Sequence, residues 1–248
     1  MKTLLTGALM LLFALPSFAG TTGTTSDGYR PFTVAANPTA RQITKLFIET
    51  TEGIHDPFMV LRKVGSMGNQ VVPALKTFLF DTPVIKIAVS DPNGKIDSIN
   101  TTKPDKRLGL MALDLIGTPE AYQVIATAAQ SDSNVELKAL ALRSLALNYY
   151  HKAKEDSLTP DPAVVGILID NMDDTSYVNQ LGCRVGQIAR DGLKRWTGVD
   201  YGEIPSSKVR DNEEKRIGMS LSQYHDNWWK QNSSKMKWNG KKARFEVQ

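Results

Sequence analysis

From about residue 54 to residue 198, apolar and polar residues alternate with the period of a helix rather than a strand. Val72, Leu75 and Leu79 fall on one face of a predicted helix, as do Val124, Ile125 and Ala128 of another. Ahead of the latter, Leu108, Met111, Ala112 and Leu115 form a stripe. Thr118-Pro119-Glu120 then reads as a helix start, with a hydroxyl cap, a proline in the first turn and an early acid. Residues 134–148 are dense in Ala and Leu, strong helix formers. A loop is expected over 149–161, then a helix over 162–172 with Pro162 at its start. The cleanest amphipathic pattern predicts a helix over 177–196, with Val178, Leu181, Val185, Ile188, Ala189 and Trp196 on its buried stripe.

The pattern repeats at a coarser scale. Residues 61–81 and 112–132 each carry an apolar helical run, a glycine turn (Gly65/Gly68 and Gly117), a second helix and a closing aspartate. Helix pairs that cannot bury their apolar faces alone bury them by stacking. Two stretches depart from the helical period. Residues 83–104 alternate apolar and polar on both sides of Asp91-Pro92-Asn93-Gly94, which predicts an inserted β-hairpin. The same stretch echoes a calcium loop, but with Gly94 at the sixth position the first and twelfth fall on Val89 and Asn100, so the end ligands are missing. Near the end of the chain, Asn239-Gly240 between Trp238 and Phe245 predicts a second hairpin.

The segments ALDLIGTPEAYQVIATAA (112–129), ELKALALRSLAL (136–147) and VGQIARDGLKRWTG (185–198) resemble degenerate HEAT-like repeats of the bacterial kind. RWTGVDYG (195–202), the Trp228-Trp229 pair and the closing tryptophan-turn-phenylalanine segment look like the ending of secreted bacterial proteins of that type. The resemblance implies a mainly α fold: a short α-solenoid of about four helix pairs over 38–202, with the hairpin inserted at 83–104 and a basic, Trp-rich cap over 203–248. The same apolar spacing is compatible with an unrelated α-bundle.

The first residues change the expected compartment. Lys2, an apolar run from Leu4 to Leu15, and Ser17 and Ala19 at the −3 and −1 positions form a secretory signal peptide over 1–19, cleaved after Ala19. The run is too short to span a bilayer, which takes about 20 apolar residues, and no later segment is long enough. The expected mature protein is periplasmic or secreted, with no transmembrane segment. Residues 20–37, rich in Thr and Gly, read as a flexible leader.

Among its 248 residues, 41% apolar and 23% charged, the chain has one cysteine, which excludes an intramolecular disulfide framework and a cysteine cage for metal. On the helix expected at 177–196, Cys183 lies about 200° around the axis from Leu181, off the stripe; it is either buried or free for an intermolecular bond. The formal charge of +4 is uneven. Residues 208–248 hold ten basic and five acidic residues, leaving the rest of the mature chain slightly acidic.

Catalytic signals are few. His55, His151 and His225 form no metal-binding spacing, and no nucleophile elbow or phosphate loop occurs. His55-Asp56 and His225-Asp226 each read as an aspartate capping a helix start, and Asp173-Asp174 as acids favouring the next helix N-terminus. Gly65-Ser66-Met67-Gly68 reads as a helix–helix turn, and His151 as a loop residue. Expected, then, is a non-enzymatic scaffold without cofactor or metal, holding an envelope protein partner on a helical-repeat surface built from the second helices. The alternative is an envelope binder of glycan or anionic polymer through Trp228, Trp229, Trp238, Lys237, Lys241 and Lys242. Secretion argues against a nucleic-acid partner. The tryptophans have an equally direct structural reading, as the cover over the open end of the last repeat.

Overall fold

The computed structural model describes residues 29–81, 87–90, 96–100, 104–131, 134–156, 158–200 and 207–248, with side chains undescribed in the two segments between 87 and 100. The signal peptide, residues 20–28 of the leader, the Asp91–Gly94 turn and residues 201–206 lie outside the described residues.

The protein is mainly helical. Helices α1 (Ala40–Thr51), α2 (Pro57–Gly65) and α3 (Val72–Phe80) precede an antiparallel hairpin, β1 (Ile87–Ser90) and β2 (Ile96–Asn100). Next come α4 (Lys106–Ile116), α5 (Pro119–Ala129), α6 (Val135–Arg143), a π-helical turn over Ser144–Tyr149, α7 (Tyr150–Glu155) and α8 (Ala163–Asn171). A two-residue ladder, β3 (Tyr177–Val178) with β4 (Cys183–Arg184), leads into α9 (Val185–Thr197). Finally come α10 (Ser207–Ile217), α11 (Leu221–Asn232) and a hairpin of β5 (Met236–Asn239) with β6 (Arg244–Val247).

The helices pack in two files. α2 lies against α4, α4 against α6 and α6 against α9; in the other file α1 meets α3, α3 meets α5, α5 meets α8 and α8 meets α11. The files join through α3 on α4, α5 on α6 and α8 on α9, and the space between them is one apolar core from Ile43 to Phe245.

Local chemistry sets most helix starts. Asp56 and Thr118 cap α2 and α5 through Phe58 N (2.8 Å) and Ala121 N (3.3 Å), each ahead of a proline. Ser220 and Gln223 form a capping box on α11. Gly117 and Gly198 end α4 and α9 in the left-handed conformation that glycine adopts without steric cost.

Several expectations need correction. No helix is expected over 40–51, yet α1 lies there, with Thr44 and Thr50 buried and their hydroxyls donating to Ala40 O (2.8 Å) and Leu46 O (2.7 Å). The loop expected at 149–161 begins late. The helix opened at Val135 runs on through the π turn to Glu155, so Tyr149 is buried and His151 is helical. The helix expected at 177–196 begins at Val185, and Cys183 sits in β4. Val178 is nevertheless buried and Leu181 half-buried, because the ladder and its turn fold these apolar residues onto the core. Leu115 is 47% exposed: it lies at the end of α4 over Gly65, where an added Cβ would stand 2.8 Å from the Leu115 Cβ. Asp226 lies inside α11, whose cap is Ser220, so it starts no helix. The last hairpin turns through four residues, Gly240 to Ala243, with Ala243 at φ 48°, rather than through Asn-Gly alone.

Candidate functional site

Of the aromatic side chains singled out in the sequence, Trp238 and Phe245 pack on Trp196 of α9. Trp196 is fully buried at its C-terminal end, and its indole Nε1 donates to Leu145 O (3.0 Å) in the π turn. Tyr149 and Tyr150 approach it edge-on at 5.4 and 5.3 Å. From the last hairpin, Trp238 meets it at 5.6 Å and Phe245 stacks on it at 5.7 Å. Trp238 and Phe245 are cross-strand partners, so the strand period puts both rings on the same face, toward the helices. Trp229 reaches the body separately: an added Cβ on Gly166 of α8 would come within 2.7 Å of its indole. Trp228 is half-buried against the same core, and its carbonyl accepts from Asn232 Nδ2 (2.8 Å).

The lysines do not accompany these rings. Lys237, Lys241 and Lys242 are exposed. Lys237 pairs across the ladder with Glu246, on the face opposite the rings. Glu246 accepts from Lys242 (2.7 Å), Arg244 (3.0 Å) and Asn239 (2.9 Å), and these donors hold its carboxyl down at about 2. The structure thus separates the aromatic and basic halves of the predicted site.

The other titratable groups are dispersed. His55 is buried beside α1, and His151 lies exposed on α7, 3.6 Å from Glu155. His225, half-buried on α11, lines a cavity of about 320 Å³ with Arg190, Met172, Glu213, Arg216 and Leu221, and burial lowers its pKa. Arg190 of α9 is buried and donates to Met172 O (2.8 Å) and Asp173 (2.7 Å). Asp174 accepts from Lys138 (3.0 Å) and from Ser176 N (2.9 Å). It is the Asp174 carbonyl, not either carboxylate, that meets the start of α9, accepting from Gly186 N (2.8 Å). The Cys183 thiol is half-buried, and burial raises its pKa, which disfavours the reactive thiolate. Among the described residues no three His, Cys, Asp or Glu side chains gather as a metal site, and no helix is long and apolar enough to cross a membrane.

One group had no signal in the sequence. Asp114 lies within an apolar stretch of α4, where it accepts from Ser144 Oγ and from Asn148 Nδ2 (2.7 Å) of the π turn. Burial pushes its carboxyl up to about 6 against the pull of those two donors. The Tyr122 ring stacks on Tyr149 at 4.2 Å, and its buried hydroxyl has no partner among the described residues.

Compared with known proteins, the chain matches no family model, no curated protein and no solved structure.

Proposed function

We propose that the chain is a periplasmic or secreted, non-enzymatic interaction scaffold: a short HEAT-like α-solenoid of about four helix pairs, closed at its C-terminal end by the Trp-rich segment, that holds a protein partner of the cell envelope. The observation that carries this reading is the order of packing, in which first helices touch first helices and second helices touch second helices along the chain. That is how stacked pairs bury a continuous core.

In place of the second helices expected to form the partner surface, this reading uses the first helices of the pairs, α2, α4, α6 and α9. Apart from Pro73 and Pro119 in their first turns, the exposed positions on α3 and α5 (Lys76, Thr77, Glu120, Gln123 and Thr127) are polar. The exposed apolar residues include Phe58 and Met59 at the start of α2, Val135 at the start of α6, and Tyr177 on β3, which packs on α6. Exposed aromatic and methionine side chains are typical of interface anchors. In this reading the rings of Trp229 and Trp238 serve the fold, which leaves the exposed lysines without an aromatic platform for the glycan or anionic-polymer alternative.

Cross-linking in intact envelopes, followed by capture of the tagged chain, tests the proposal. A reproducible protein partner that is lost in the Phe58→Asp/Met59→Asp variant is expected. Capture of no partner, together with retention on an anionic polysaccharide that disappears in Lys237→Ala/Lys241→Ala, supports the polymer reading instead.

A further inference from the structure

The two files of helices differ in charge. The file of α2, α4, α6 and α9 carries nine basic and three acidic residues, whereas the file of α1, α3, α5, α8 and α11 carries four of each. Ion pairs to neighbouring turns absorb part of the excess: Arg107 with Asp105 (2.6 Å), Lys138 with Asp174 (3.0 Å) and Arg190 with Asp173 (2.7 Å). Arg62, Lys63 and Arg195 are exposed, with no ion-pair partner among the described residues.

The helices of the basic file run parallel, so like ends line up across it. Near their ends, an added Cβ on Gly65 of α2 would stand 2.8 Å from the Leu115 Cβ of α4, and Asp114 of α4 accepts from Ser144, the residue after α6. Near their starts, Glu136 of α6 accepts from Gln180 (2.5 Å), just ahead of α9. Exposed Phe58, Met59, Val135 and Tyr177 stand at the starting edge. At the other edge stand Arg62 and Lys63 in the last turn of α2, and Lys194 and Arg195 in the last turn of α9. A helix C-terminus carries about half a negative charge, which the two cations on α2 outweigh. On α9, Lys194 pairs with Asp200 (2.5 Å) and Arg195 adds its charge beside that pair. In the other file, the last turns of α1, α3, α5 and α8 hold no basic residue. The exposed acids of the basic file are Glu136, at the starting edge, and Asp191, which accepts from Gln187 (3.0 Å).

We infer that this face receives an acidic, amphipathic segment of the partner protein: its apolar side chains meet Phe58, Met59, Val135 and Tyr177 at one edge, and its carboxylates meet Arg62, Lys63 and Arg195 at the other. Charge complementarity selects the partner, and the apolar edge supplies the anchors. A charged polysaccharide has no use for the apolar edge, and a second copy of this chain brings no acidic file of helices to the basic one. The inference rests on the proposed use of the first helices as the partner surface.

Capture of the full chain from cross-linked envelopes, with the cross-linked partner segment sequenced, tests it. Arg62→Glu/Lys63→Glu is expected to lower the yield of the partner about tenfold or more, the effect of setting like charges against each other. Arg62→Gln/Lys63→Gln gives a smaller loss in the same direction, and Lys76→Glu, exposed on α3, gives none. The cross-linked segment holds more Asp and Glu than Lys and Arg. A defined probe supplies the direct readout: a labelled amphipathic peptide of Leu and Glu binds the full chain and weakens as salt rises, whereas its Leu and Lys counterpart does not bind. A partner lost in Phe58→Asp/Met59→Asp but kept in Arg62→Glu/Lys63→Glu, or a cross-linked segment rich in Lys and Arg, overturns the inference and leaves the scaffold reading standing. Equal binding of the two peptides, or binding of neither, also overturns it. Capture of no protein by the wild type overturns both readings, and capture of a polysaccharide or of a second copy at this face assigns the surface to that occupant instead.

Discussion

The middle of the molecule and its C-terminal end are both apolar seams, but they are held in different ways. In the middle, α6 and the π turn meet α9 through small side chains. Ala139, Ala141, Ala146, Ala189 and Gly192 are buried, and an added Cβ on Gly192 would stand 2.7 Å from the Ala146 Cβ. Backbones approach closely there, and the stabilisation is spread over many weak contacts. At the end, the last hairpin meets α9 through a few large rings: Trp196, Tyr149, Tyr150, Trp238 and Phe245. Rings bury more area per residue but need defined geometry, and Trp196 also needs a partner for its N–H, which Leu145 O supplies. The middle should therefore tolerate single changes gradually, whereas the end should depend on individual residues.

The largest expected break is at the junction of the two regions. Trp196→Ala removes the ring that both the π turn and the last hairpin pack against, and should cost about 3–5 kcal/mol in denaturant unfolding. A loss under about 1 kcal/mol would mean that the rings are not what holds the end. Next comes Gly166→Val, which sets a branched side chain against the Trp229 indole. Overpacking of this kind costs about 1–3 kcal/mol. It should speed amide exchange in α11 while leaving α4–α6 protected, separating the tail's docking from the integrity of the files.

The smallest effect concerns the middle and is read as a pH dependence. Asp114 has a native pKa raised to about 6 from the ordinary carboxyl value, so between about pH 4 and pH 6 the folded chain binds more protons than the unfolded one. Its contribution to stability is thus full on the acid side and declines as pH rises through that window. Asp114→Asn removes this slope. Unfolding free energies of wild type and variant should diverge by on the order of 2 kcal/mol across the window, in favour of the variant at neutral pH. Parallel curves would place Asp114 in a more polar setting than its burial implies. The carboxyl of Glu246 behaves oppositely: it is held down at about 2 by Lys242, Asn239 and Arg244, so its stabilising contacts persist until strongly acid pH.

Much of the helical body is legible in the sequence because local chemistry and apolar period agree there. The buried positions of α3 and α5, the Thr118-Pro119 start, the Gly117 stop and the pairing of 87–90 with 96–100 all follow from that agreement. Reading fails where tertiary contacts override local signals. Thr44 and Thr50 are buried in α1 because their hydroxyls return to the helix backbone, which a hydropathy pattern scores as exposure. The π turn carries the helix beyond Tyr149, where sequence alone shows tyrosines and then lysines. The apolar spacing of 177–196 fits a helix throughout, yet Gly182, in a left-handed conformation, reverses the chain into a short ladder first. The candidate site divides in the same way. Its tryptophans stand out by composition, but their inward direction depends on strand register and on a glycine in α8, neither of which composition carries.

The claim that the aromatic end closes the helical array is tested most directly by guanidinium unfolding of Trp238→Ala. This ring contacts Trp196, Tyr150 and Phe245 and takes no part in the helical files themselves. The account predicts a single transition shifted to lower denaturant, with a loss of about 2–4 kcal/mol. An unchanged midpoint would contradict it and return Trp238 to the role of a side chain held for a ligand.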